Sequence, residues 1–198
     1  IMTRITIFLT AATMLCSAPA FAQDESEPEA VVGEAAPDFT LSDEAGNSHT
    51  LSDYQGQTVV LEWTNPQCPF VVRHYQADTM EELAGRYGED VVFLAVNSSH
   101  FNTAEDSAAW KEQEGFSYPT LLDASGDVGR LYGARTTPHM FVIDADGVLA
   151  YAGAIDDDAR GDADSPTNYV ESAITALMNG ERPSPSSTQP YGCSVKYE

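Results

Sequence analysis

The chain has 198 residues with 31 acidic and 9 basic side chains, a net charge of −22, and 42% apolar residues. Such acidity argues against nucleic acid or anionic membrane as a partner and favours solubility. The length suits one compact domain.

At the start of the chain Arg4 precedes an apolar run over residues 5–15, followed by Ala20-Phe21-Ala22. That order reads as a secretory signal peptide over residues 1–22, with an apolar run too short to span a bilayer. Cleavage after Ala22 leaves 176 residues, 198 minus 22, and removes Cys16. It also removes Arg4 and no acid, which takes the charge from −22 to −23. The expected location is therefore exported, in the periplasm, with Cys68 and Cys193 as the remaining thiols and one possible pairing between them. Residues 23–32 are acidic and poor in apolar groups and read as a flexible leader to a domain over residues 33–180.

Ala36-Pro37-Asp38-Phe39-Thr40-Leu41 reads as extended, and Asp43-Glu44-Ala45-Gly46-Asn47 as a turn. Thr58-Val59-Val60-Leu61-Glu62 is a β-branched and apolar run of strand length, and Cys68 follows it at the junction with a helix. Pro69 suits the first helical position because it has no N–H to leave unpaired, and it pushes Cys68 into an extended, capping conformation. A thiol there meets the free N–H groups and positive end of the helix, an environment that lowers a cysteine pKa from about 8.5 towards ~3.5–7.5. The junction is expected to expose Cys68, and the helix, with Val72, Tyr75, Leu83 and Tyr87 on one side, is expected to run to Gly88. The competing reading of Cys68 is a buried structural thiol.

Val91-Val92-Phe93-Leu94-Ala95-Val96 has the continuous apolar character of a strand covered on both faces. A helix capped by Asn102 or Thr103 and stopped by Gly115 follows, then a short strand from Tyr118 to Leu122 and a helical turn near Tyr132-Gly133. Met140-Phe141-Val142-Ile143 and Val148-Leu149-Ala150-Tyr151 flank Asp144-Ala145-Asp146-Gly147 as a hairpin. Ser165-Pro166 opens a last helix that Gly180 closes. The order predicts an α/β sandwich with a mixed central sheet flanked by helices. Residues 181–198 form a tail rich in proline and serine that finishes on Tyr191, Cys193, Val195 and Tyr197. At about 3.3 Å per residue its extended reach is ~40 Å, enough to bring Cys193 to Cys68.

These pieces resemble the thioredoxin-fold redoxins, in particular the peroxiredoxin-like branch of the alkyl hydroperoxide reductase and thiol-specific antioxidant superfamily. The resemblance rests on Ala36-Pro37-Asp38-Phe39-Thr40-Leu41, Leu51-Ser52-Asp53-Tyr54, the strand-Cys68-helix junction, and Thr136-Thr137-Pro138-His139-Met140-Phe141. It implies a thioredoxin-like fold, a cis peptide before Pro138, and a Thr137 backbone free to hold an extended disulfide substrate. Two features depart from the family pattern. Val71 stands where Cys-x-x-Cys would place a second cysteine. Leu61 and Asn65 stand where a peroxiredoxin has proline and threonine, and Pro138 stands where it has an arginine, a charge that Arg73 or Arg135 would have to supply.

The leading expectation is an exported thiol oxidoreductase whose Cys68 thiolate attacks a peroxide or a disulfide, with Cys193 as resolving thiol. Pro69, Pro138, Thr137 and Thr64 would support the site, and a thioredoxin-like partner would supply electrons. No cofactor or metal is expected. A competing reading is copper delivery through Cys68, Cys193, His74 and His139, since soft thiolates suit Cu(I); against it, His74 reads as a surface residue. Another is a redox-inert binding module. The acidic loop from Asp156 to Asp164 fails the EF-hand pattern at Arg160 and Thr167 and reads as solvated.

Overall fold

The computed structural model describes residues 30–198; the expected signal peptide and residues 23–29 lie outside the described residues. The strands are β1 (Thr40–Asp43), β2 (Ser48–Thr50), β3 (Thr58–Trp63), β4 (Val91–Asn97), β5 (Thr120–Leu122), β6 (Thr136–Thr137), β7 (His139–Ile143), β8 (Leu149–Gly153) and β9 (Cys193–Ser194). The helices are α1 (Pro69–Gln76), α2 (Thr79–Tyr87), α3 (Ala104–Glu114), α4 (Asp127–Leu131) and α5 (Tyr169–Met178). Seven strands form one mixed sheet in the order β2-β1-β5-β4-β3-β7-β8, and β6 and β9 form a separate pair.

β3 is an interior strand, parallel to β4 from Thr58↔Val91 to Trp63↔Val96 and antiparallel to β7 from Val59↔Ile143 to Trp63↔His139. Because side chains alternate across a strand, its residues divide between two cores. Val60 joins Val71, Tyr75, Leu83, Phe93, Val142, Val170 and Ile174 on the face covered by α1, α2 and α5. Val59, Leu61 and Trp63 join Leu94, Val96, Leu121, Phe141 and Val128 of α4 on the other. The near-continuous apolar runs of β3, β4 and β7 reflect this double burial.

Local chemistry explains most boundaries. Thr103 caps α3 by accepting the Asp106 N–H at 3.1 Å while the Asp106 carboxylate accepts the Thr103 N–H at 2.9 Å, a reciprocal box that satisfies two free donors. Gly115 ends α3 at φ 77°, a left-handed conformation that disfavours a Cβ.

Two expected boundaries are corrected. The helix after Cys68 does not run unbroken to Gly88: it stops at Gln76, and α2 begins after Asp78, which sits at φ 52°. Splitting the run lets each part turn its own apolar side inward. In α1 that side carries Val71, His74 and Tyr75, with Val72 only half-buried. The last helix starts at Tyr169, where Asn168 accepts the Glu171 N–H at 2.9 Å, not at Pro166. At the start of the described residues, Ala30 N donates to Leu131 O at 3.0 Å and Gly33 N to Leu149 O at 2.8 Å, so residues 30–33 are tied to the domain.

Candidate thiol site

Cys68 caps α1 in an extended conformation (φ −89°, ψ 119°), with Pro69 as the first helical residue. The turn before it is built by Asn65. Its side-chain oxygen accepts the Gln67 N–H at 2.8 Å and its carbonyl accepts the Cys68 N–H at 2.9 Å. A residue that counts in the sequence as a departure from the peroxiredoxin pattern is thus what folds the loop carrying the thiol.

The Thr137-Pro138 peptide is cis. Thr137 stands opposite Cys193 in the β6/β9 pair, so the backbone expected to be free for a substrate is taken by the chain's own tail. The Cys68 Sγ lies 2.7 Å from Cys193 Sγ and 3.0 Å from the Thr137 carbonyl oxygen. Both cysteines are free thiols at this separation. Cys68 is 1% exposed, not open to solvent as its place in a turn suggested, because the tail and the Pro138 loop close over it.

Burial, the largest influence, pushes the Cys68 thiol up. Hydrogen bonds from the Cys193 thiol, the Val71 N–H and the Cys193 N–H together outweigh it and bring the thiol below its ordinary value. Cys193 moves the opposite way, up to about 11, through burial and through donating to Cys68. The first proton therefore leaves Cys68, and Cys193 remains the donor that steadies the thiolate. The Val71 N–H is one of the free donors of the first helical turn, the contribution expected from the helix start.

Neither arginine reaches the thiol, which corrects the expectation that Arg73 or Arg135 compensates for the missing one. Arg73 donates to the Asp158 carbonyl at 2.8 Å, the Ala159 carbonyl at 3.3 Å and the Tyr191 hydroxyl at 3.2 Å. Arg135 is exposed and borders a cleft with His139 and Thr188. Thr64 is buried, its N–H donating to Val96 O at 2.9 Å and its hydroxyl without a partner, and it makes no hydrogen bond to Cys68.

His74 is also corrected: it is 4% exposed, facing Tyr191 and Asp156 instead of solvent. His139 is buried against Phe141, with Nδ1 accepting the Arg135 N–H at 3.4 Å. Neither imidazole joins the two sulfurs, and among the described residues no group of three or more His, Cys, Asp or Glu is arranged to hold a metal ion. In the acidic loop, the Asp158 carboxylate accepts the N–H groups of Gly161, Asp162 and Ala163. That carboxylate is occupied in folding its own loop.

Three residues escaped the sequence reading. Glu62 is a charge in an otherwise apolar strand, 1% exposed and capped by Tyr75 and Tyr118; the lone acid in that run was the signal. Tyr191 and Asp156 lie far apart in the chain, and no local pattern links them.

The family model described as AhpC/TSA family matches residues 32–152. The chain belongs to the AhpC/TSA family. Its fold is thioredoxin-like. Thiol-disulfide oxidoreductase ResA of Geobacillus thermodenitrificans (strain NG80-2) is 35% identical over 117 residues, covering 59% of this chain and 65% of the relative. The chain thus spans just under two thirds of that relative's length. A Mycobacterium tuberculosis (strain ATCC 25618 / H37Rv) protein provisionally named a peroxiredoxin is 27% identical over 135 residues, 65% of this chain and 80% of the relative. Among solved structures, the hypothetical protein SMc02350 from Sinorhizobium meliloti 1021 superposes with a TM-score of 0.77 at 31% identity, over 85% of this chain and 95% of that one. For residues 30–198, no helix is long and apolar enough to cross a membrane.

Proposed function

We propose that this AhpC/TSA-family chain is a thiol oxidoreductase that cycles between a Cys68/Cys193 dithiol and the disulfide joining them. The observation that carries the reading is the 2.7 Å approach of the two sulfurs, with one thiol lowered and the other raised. In disulfide exchange the Cys68 thiolate attacks one sulfur of the substrate and expels the other as a thiolate. Cys193 then loses its proton, attacks the Cys68 sulfur, and releases the second half of the substrate as a thiol. The substrate is reduced by two electrons, the pair is oxidised, and an external dithiol, of the thioredoxin-like class, restores it. With a peroxide the same thiolate takes one oxygen to give a sulfenic acid, and Cys193 displaces water from it.

The disulfide is the better supported electrophile. The β6 edge already accommodates an extended segment with its cysteine against Cys68, and the proline, threonine and arginine of peroxiredoxins are replaced by Leu61, Asn65 and Pro138. The leader pattern in residues 1–22 supports work in an exported, periplasmic setting.

The test is mass mapping of the reduced protein after one equivalent of oxidised glutathione or of hydrogen peroxide. The expected product is a disulfide between Cys68 and Cys193, faster with glutathione, with C193S trapping glutathione on Cys68. Faster oxidation by peroxide would transfer the reading to peroxide reduction. An unmodified Cys68 after both oxidants would overturn it.

A further inference from the structure

The segment from Ser186 to Glu198 runs across the mouth of the site and is held along its length. Thr188 Oγ1 accepts the Ala154 N–H at 2.9 Å, Val195 N donates to Arg135 O at 3.1 Å, and the Tyr197 hydroxyl donates to Ala134 O at 2.7 Å. One side chain differs from these by entering the body of the protein beside Cys193. The Tyr191 hydroxyl donates to Asp156 Oδ1, receives a hydrogen bond from Arg73 at 3.2 Å, and lies 2.9 Å from His74 Nε2. Its ring packs 6.0 Å from Phe70, and the Arg73 guanidinium lies over it at 5.8 Å. Asp156 and His74 are 6% and 4% exposed, so the carboxylate has a strong claim on the phenol proton.

Gly192, next in the chain, sits at φ 134°, where a Cβ would overlap the Thr137 carbonyl oxygen. The backbone between the anchored phenol and the thiol is therefore pressed onto Thr137, with one residue between anchor and sulfur.

We propose that Tyr191 is the positioning residue of the resolving step: seated in the recess of Phe70, Arg73, His74 and Asp156, it holds Cys193 along Thr137 and so sets how often that thiol meets Cys68. The inference rests on the reading of Cys193 as the resolving thiol. Without the anchor, the tail returns Cys193 to the site only as a loose tether does.

The test follows closure directly. The full chain, in a C16S background so that two thiols remain, is mixed with 5,5′-dithiobis(2-nitrobenzoate) and thionitrobenzoate release is followed by stopped flow. The first release depends on reagent concentration and leaves one cysteine as a mixed disulfide. In the second, the other cysteine's thiolate attacks the adducted sulfur, forms the Cys68–Cys193 bond and expels thionitrobenzoate, at a rate independent of reagent. The adduct is too bulky for the closed site, so this step requires the tail to redock.

Y191F and D156A are each expected to slow the second release by about tenfold or more, and their combination to slow it by less than the product of the two, because the phenol–carboxylate hydrogen bond is common to both. D156N keeps an oxygen that accepts the phenol proton and is expected to stay within about threefold of the native rate. A native rate in Y191F, or equal rates in D156A and D156N, overturns the inference. Absence of any concentration-independent release in the native chain would instead remove the resolving role of Cys193 itself.

Discussion

Replacing Glu62 by glutamine is expected to make the protein more stable at neutral pH and to leave it nearly unchanged in acid. Glu62 lies on the interior strand β3, 1% exposed; the Tyr75 and Tyr118 hydroxyls donate to Oε2 at 3.1 and 3.4 Å while Oε1 has no partner. Burial outweighs those two hydrogen bonds and raises the carboxyl from 4.5 to about 7. The folded state thus keeps a proton that the unfolded chain releases, and stability present below pH 4.5 is lost as pH rises through 7. At 1.36 kcal/mol per unit, a rise from 4.5 to about 7 corresponds to ~3 kcal/mol. Glutamine keeps the volume and the acceptor but cannot ionise. The advantage of E62Q should therefore grow by ~3 kcal/mol between pH 4.5 and 8, or ~6–12 °C in Tm for a domain of this size. Urea unfolding of the reduced protein across that range measures it. A stability difference that stays flat with pH would refute the reasoning, because it would mean that the carboxyl ionises at its ordinary pH inside the fold.

The histidines carry the opposite slope. Burial lowers His74 and His139 from 6.5 to about 4, so the unfolded chain binds more protons in that window and stability present above pH 6.5 is lost as pH falls towards 4. H139Q should remove ~3 kcal/mol of that acid sensitivity, read as a shallower fall in urea midpoint between pH 6.5 and 4. T103A removes the hydroxyl that accepts the Asp106 N–H and leaves only the backbone half of the α3 capping box, which should cost about 1 kcal/mol by urea unfolding, with thiol reactivity unchanged. The Cys193 thiol helps lower Cys68, so in C193A the Cys68 pKa should rise above its native value, whereas C193S, which keeps a hydroxyl donor, should raise it less. The pH dependence of iodoacetamide alkylation measures both, and identical profiles for the two variants would rule out the donor role.

The tail gives the site its character. An open β6 edge would admit any extended segment, but here Thr136 and Thr137 are paired with Ser194 and Cys193. On the proposed reading the tail occupies the edge that an incoming disulfide would use, and the substrate must displace it.

Much of this architecture was legible from residue order. The apolar runs of β3, β4 and β7 announce strands covered on both faces, Thr103 and Gly115 mark the ends of α3, and Pro69 marks a helix that starts on Cys68. Each is a local preference of backbone or side chain, which neighbouring residues suffice to express. The reach of the tail also follows from chain length, so a meeting of Cys193 with Cys68 was within what the sequence permits. What it could not determine is what lies on either side of a residue distant in the chain. His74 reads as a surface residue until Tyr191 and Asp156 close over it. Cys68 reads as exposed until the tail covers it, and Arg73 reads as a partner for the thiol until the carbonyls of Asp158 and Ala159 claim it. Burial and hydrogen-bond competition are properties of the assembled interior, and they, more than residue type, decided which thiol ionises first.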